Sequence, residues 1–393
     1  MKIKIALIIE RANVVLGGAE RSVFELANAL SAQGMQCDIL AASGSTSVKN
    51  VHLLCEDIPK KRIPMTLFAD RIKQFLAKNN YDIVHSFLPF DFADIYQPRG
   101  GSYAESIKQN AESFANPFIR KWKRSTSFFN YRRTKLLHAE KNLCKKSDGP
   151  VIAALSKYVA TQFKTHYNLP DQRLFLVPNG VSLTKKPDFK VADELRSLIL
   201  RQLSLKEAHN PALFLFAATN FRLKGLSPLI KALSLAAQKT SERPPFLIVA
   251  GSASSLRHRL LAAKYRVSKR ILFLGPLRNI NNALAITDVA VLPTFYDPSS
   301  RFILEALAVN KPVITTKFNG AADMFTADIH GKVIDHPANI NALAAALNFY
   351  CSTDNIKNAQ QAIQADNLRK NISNMRVADQ LASLYTNIIN NRS

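Results

Sequence analysis

Residues 1–41 read MKIKIALIIERANVVLGGAERSVFELANALSAQGMQCDILA. Ile3–Ile9, apolar without a break from Ile5, predicts a buried strand. Gly17-Gly18-Ala19-Glu20 reads as a loop. Arg21–Gln33 then places Val23, Leu26, Ala27 and Leu30 on one helical face, Gly34 stops the helix, and Cys37–Ala41 returns as a strand. This is a βαβ unit, and a parallel sheet needs such crossovers. Glu10 and Arg11 end the first apolar run early, so a strand is expected rather than a secretion signal.

The same rhythm continues along the chain. Tyr81–Ser86, Val151–Leu155 and Leu174–Val177 read as further strands. After Pro178-Asn179-Gly180 and a polar, Lys-rich stretch it restarts, with strands at Leu213–Ala217, Phe246–Ala250, Ile271–Phe273, Val289–Leu292 and Val313–Thr315. Short buried runs alternating with helices predict parallel sheets covered on both faces. The expected architecture is α/β: two doubly wound, Rossmann-like domains facing a central cleft. They span 1–180 and 181–375, and a last helix at 376–393 could cross back to the first domain. In such sheets ligands bind at the carboxyl ends of the strands.

Composition narrows the function. Of 393 residues, 47% are hydrophobic, so a core is available and a disordered or fibrous chain is excluded. Lys plus Arg is 53 and Asp plus Glu is 29, a net +24 that attracts polyanions. Cys37, Cys55, Cys144 and Cys351 are scattered, without a CxxC or Cys/His cluster. Buried thiols in a reduced compartment are expected, and no zinc site. No apolar run reaches the roughly 20 residues that span a bilayer.

Three motifs could carry chemistry. Gly17-Gly18 lies between a strand and a helix, where a backbone can approach a phosphate. A tight turn explains the pair equally well, and the pattern is not the GxGxxG of nicotinamide sites. In Asn220-Phe221-Arg222-Leu223-Lys224-Gly225, two cations leave a strand end just before a helix at Ser227–Ala236. An Arg fork and a Lys point charge there suit a diphosphate. The segment Pro293–Leu307 carries Asp297, then Ser299 or Ser300 as an N-cap, then Glu305 within a short helix at Arg301–Val309. Asp297 and Glu305 lie eight residues apart, about 12 Å along a helix. That suits carboxylates gripping two ends of an extended ligand. It is too wide for the pair that flanks a hydrolysed glycosidic bond.

Pro178-Asn179-Gly180-Val181-Ser182, the Arg222-x-Lys224-Gly225 loop and Asp297-x7-Glu305, followed by Lys311–Thr316, resemble the family 4 glycosyltransferases of GT-B fold. Asp94-Ile95-Tyr96 and Tyr103-Ala104-Glu105 extend the likeness towards the branch that glucosylates lipopolysaccharide core. The resemblance implies a retaining, metal-independent transfer from a nucleotide sugar, with no cofactor beyond that co-substrate. Arg222 and Lys224 would neutralise the leaving diphosphate, and Asp297 would hold the donor sugar. Gly17 and Gly18 would approach the diphosphate, the backbone of Ser300 and Arg301 would meet the phosphates, Glu305 the ribose and Leu277 the base. The sequence departs from the family at Asp297, where Glu is usual, and at Ser299-Ser300-Arg301, where Gly is usual. Arg222 lies one position from its counterpart, and Gly100 replaces an acceptor-side aspartate. His85, at a strand end, is an acceptor-side candidate or a satisfied core histidine.

Residues 114–146 hold ten Lys or Arg and a single acid, Glu140. Phe118, Trp122, Phe128 and Phe129 interleave with Arg120, Lys121, Lys123, Arg124, Arg132 and Arg133. Rings among cations favour an anionic membrane surface. The same composition fits a helix with a solvated basic face, and nucleic acid ranks last. The expected partners are a nucleotide sugar, a lipid-linked glycan acceptor and the cytoplasmic face of an inner membrane. The competing expectation is a non-catalytic adaptor that binds nucleotide sugars or polyanions on the same scaffold.

Overall fold

The structure, a computed structural model, describes residues 2–13, 18–45, 48–58, 63–126, 130–184, 186–205, 210–239 and 241–392. It forms two compact units. The first comprises Met1–Ile107, Ser125–Ser182 and Ser373–Ser393, and the second Lys108–Arg124 and Leu183–Ile372.

In the first unit the strands are β1 (Lys4–Ala12), β2 (Gln36–Gly44), β3 (Val51–Leu53), β4 (Ile83–Ser86), β5 (Ile95–Tyr96), β6 (Val151–Ala154) and β7 (Leu174–Leu176). They pair in parallel in the order β3-β2-β1-β4-β5-β6-β7. Helix Gly18–Ala32 joins β1 to β2. It starts at Gly18, inside the stretch expected to be a loop, while Gly17 lies outside the described residues. It ends as anticipated at Gly34, whose φ of +86° only glycine adopts cheaply. The amides of Gly34 and Met35 then bond Ser31 and Leu30.

The last helix, Asn374–Asn390, belongs to this first unit. Ser373 caps it by accepting from the Arg376 amide at 3.3 Å. Leu381, Leu384 and Tyr385 are buried against Ile5, Leu7, Leu26 and Leu30 in a single core cluster. Gly180 is required where this helix begins, because a Cβ there would meet Val377 at 2.7 Å and the Ser373 carbonyl at 2.8 Å. The Arg376 guanidinium donates to the carbonyls of Pro178 and Asn179 at 2.8 and 3.0 Å. The Pro-Asn-Gly motif is thus the seat of the C-terminal helix.

The second unit contains β8 (Ala212–Ala217), β9 (Pro245–Ala250), β10 (Ile271–Gly275), β11 (Val289–Leu292), β12 (Val313–Thr316) and β13 (Gly331–Ile334). Their order is β10-β9-β8-β11-β12-β13, again all parallel. β8 and β9 are almost wholly buried, as a sheet covered on both faces requires. Each sheet begins in its middle, runs out to one side, then crosses to the other. That reversal falls between β1 and β4, and between β8 and β11. All four cysteines are free and buried. Among the described residues no helix is long and apolar enough to cross a membrane.

Candidate active site

The loops after β8 and β11 leave the second sheet side by side, at its reversal point. Such points leave a crevice at the carboxyl edge of an open α/β sheet. The loop after β8 carries Arg222 and Lys224 and turns into helix Leu226–Ala236 through Gly225. Gly225 has φ +83°, and a Cβ there would lie 1.9 Å from the Pro293 carbonyl oxygen. The two loops touch at this glycine. The Phe295 amide also donates to the Leu223 carbonyl at 2.9 Å.

This contact brings Lys224 to Asp297. Lys224 Nζ lies 2.7 Å from Asp297 Oδ2 and donates to the Tyr296 carbonyl at 2.9 Å. Both side chains keep part of their surface exposed, 20% for Lys224 and 14% for Asp297. Asp297 is fixed from its own backbone as well. Its amide bonds the Phe318 carbonyl, and its carbonyl accepts from Gly320, both at 2.9 Å.

Helix Arg301–Ala308 follows, with Ser300 as N-cap accepting from the Ile303 amide at 3.5 Å. Its positive dipole end is favourable for an anion. Arg301 pairs with Glu305 at 3.7 Å, so these two expected donor contacts adjoin. The Ser300 amide, expected to meet phosphate, donates to Asn319 Oδ1 at 3.1 Å. Asn319 also accepts from Ala321 and donates to Thr315, so it clamps the start of this helix. Its position after β12, followed by Gly320, was the available signal. Leu277 is half-buried just beyond the end of edge strand β10.

Arg222 is placed differently from Lys224. Its guanidinium donates to the Asn110 carbonyl at 2.9 Å and to the Ser113 hydroxyl, and it lies 3.8 Å over the Phe114 ring. Burial, and then Arg257, push its pKa down. Among the described residues no hydrogen bond joins Arg222 to Lys224 or Asp297. Asn110 and Ser113 stand more than 100 residues away in sequence, and no local motif announces them.

His85 is a core histidine in this structure. It is fully buried, its Nδ1 bonds Tyr385 Oη at 2.7 Å, and burial pushes its pKa down to about 3, with Arg99 adding to the shift. It presents no surface to an acceptor, which corrects its reading as an acceptor-side candidate. Gly100 is exposed, with nothing within 4 Å of a Cβ built on it.

Helix Pro117–Ser125 buries none of its residues. Phe118 is 83% and Trp122 58% exposed. Lys121, Lys123 and Arg124 are exposed, and Arg120 pairs with Glu112 at 3.3 Å. Phe128 and Phe129 lie outside the described residues. In the first unit, Arg132 pairs with Glu10 and Arg133 is half-buried.

Comparison with known proteins agrees with this architecture. Residues 16–185 match the Glycosyltransferase Family 4 profile, and residues 202–369 match Glycosyl transferases group 1. The lipopolysaccharide glucosyltransferase WaaG of Escherichia coli K12 is 21% identical over 327 residues, 82% of each chain. A crystal structure of WaaG superposes with a TM-score of 0.73, at 18% identity, covering 97% of this chain and 99% of that one. Anabaena HepE, solved with UDP and glucose, gives 0.68 at 15% identity, covering 98% and 100%.

Proposed function

Because the chain belongs to the two-domain glycosyltransferases of GT-B fold, we propose that it transfers a hexose from a nucleotide sugar, a UDP-sugar above others, to a membrane-anchored cell-envelope glycan such as lipopolysaccharide core. The observation that carries this reading is the Lys224–Asp297 pair, held beside a helix start at the sheet's reversal point. Breaking a sugar–diphosphate bond leaves negative charge on the diphosphate. A fixed cation and helix dipole stabilise that charge in advance, without a metal. Lys224 serves this role, and Asp297 orients it while holding sugar hydroxyls. Arg222 joins by exchanging Asn110 and Ser113 for phosphate oxygens. Glu305 takes the ribose and Leu277 the base. WaaG and the UDP-bound HepE support the donor class.

Transfer with retention follows from attack on the face the diphosphate leaves, and it requires no histidine at position 85. The exposed rings and cations of helix Pro117–Ser125 support docking on an anionic membrane. The face proposed is the cytoplasmic one. UDP-glucose turnover, measured with and without a chelator, tests the reading. Glu305→Ala is expected to weaken donor binding, and Lys224→Ala to weaken it and to lower turnover by about 10²–10³. Unchanged donor binding in both variants would overturn it. Binding by the parent chain without turnover on any glycan extract would favour the adaptor instead.

A further inference from the structure

The first unit holds a cavity of about 570 Å³ at the carboxyl edge of its sheet. Its floor is apolar. Ala42 comes from β2, Phe68 from helix Met65–Lys78, Leu88 from the loop after β4 and Leu136 from helix Tyr131–Lys145. A second cavity of about 570 Å³ adjoins it and shares Met65, Thr66, Tyr131 and Lys135. Together they form a groove between the two helices. It follows the second helix from Asn130 to Asn142, about 18 Å at helical rise.

The charge along this groove is one-sided. Its acids are already paired, Glu10 with Arg132 and Asp91 with Lys146. Lys135 and Lys73 make no ion pair among the described residues. Each stands over an aromatic ring instead, Tyr131 at 4.5 Å and Phe92 at 5.2 Å. The groove therefore offers an apolar floor with Lys135 at its rim, in no ion pair among the described residues, while Lys73 shares the field of Asp91. A glycan would bury hydroxyls against Ala42, Phe68, Leu88 and Leu136, whose side chains offer no hydrogen bond in return. A hydrocarbon chain with an anionic head satisfies both surfaces.

We propose that this groove takes one acyl chain of an anionic phospholipid, with the headgroup phosphate on Lys135. The site goes beyond the transfer reaction and stands without it. An acyl chain drawn from the bilayer would anchor the first unit by insertion, which supplements attraction at the surface.

The test uses the full chain carrying ¹³C-methyl methionine. The sequence has five methionines, and Met65 is assigned by its missing signal in Met65→Leu. Dihexanoyl phosphatidylglycerol, below its micelle concentration, is expected to shift the Met65 methyl saturably, at one site per chain. Affinity should rise about fourfold for each methylene added to the seated chain. Dihexanoyl phosphatidylcholine and glycerol 3-phosphate should each bind at least about tenfold more weakly. Lys135→Glu, at an exposed position, should weaken the phosphatidylglycerol about tenfold. A motionless Met65 signal, glycerol 3-phosphate binding as tightly as the lipid, or an unaffected Lys135→Glu would each overturn the proposal. Because no donor is present, its failure is separate from any failure of glycosyl transfer.

Discussion

At the reversal point of the second sheet, a lysine and an aspartate stand 2.7 Å apart, beside a capped helix start. At the carboxyl edge of the first sheet, Ala42 and Leu88 border an apolar cavity, and the only nearby acid from β1, Glu10, is consumed by Arg132. The strand order is the same in both, apart from the extra β7 of the first sheet. Topology thus decides where each unit has a crevice. What the crevice can bind is decided by a handful of side chains in the loops that leave it.

The charged edge is the more vulnerable of the two. Lys224→Ala or Asp297→Ala should lower donor turnover by about 10²–10³, the cost of losing a preorganised charge partner. Circular dichroism should stay native, since both side chains are partly exposed. Comparable turnover in either variant would place the chemistry elsewhere. Next is the hinge of that edge. Gly225→Ala combines a positive φ with a direct clash on Pro293, and should destabilise the second unit by at least about 3 kcal/mol. Chemical denaturation would show it as a lowered midpoint with the slope unchanged.

The first unit has its own sensitive point, away from the groove. Glu140 is buried under the Tyr96 and Tyr167 hydroxyls and the Tyr103 amide, at 2.9, 2.6 and 2.7 Å. Burial pushes its pKa up from 4.5 to about 7. Between those values the native state keeps a proton that the unfolded chain has released. Stability from this group is therefore greatest below pH 4.5 and declines as pH rises to about 7, by about 3 kcal/mol in all. Glu140→Gln should flatten that slope in urea titrations at pH 5 and 7.5. The smallest effect is expected at Trp122. Its ring is exposed, so Trp122→Ala should change stability by less than about 0.5 kcal/mol while reducing retention on phosphatidylglycerol vesicles.

The most buried strands were legible because their apolar runs are continuous. β8, β9 and β11 lie within a residue or two of the expected bounds. β3, β5 and β13 were missed. Each holds only two apolar residues, so no apolar run registers. At the site, Arg222, Lys224, Asp297 and Glu305 stand out by charge type and spacing next to strand ends. Asn319 did not, because its role is to fix backbone amides. Nor could the sequence show that Arg222 rests on Asn110 and Ser113, or that His85 is sealed by Tyr385, 300 residues away. Those partnerships are made by tertiary packing and leave no local pattern. The groove is the extreme case, since its walls come from β1, β2, two helices and a loop.

The C-terminal helix also sets a timetable for the chain. Its Val377, Leu381, Leu384 and Tyr385 complete the core that Ile5 and Leu7 begin. From Ser182 to Asn390 the ribosome must add 208 residues, which takes about 10–40 s at ordinary elongation rates. Throughout that interval the first unit carries an open apolar face, while the second unit is synthesised and can close on itself. The unit made first is therefore the one finished last.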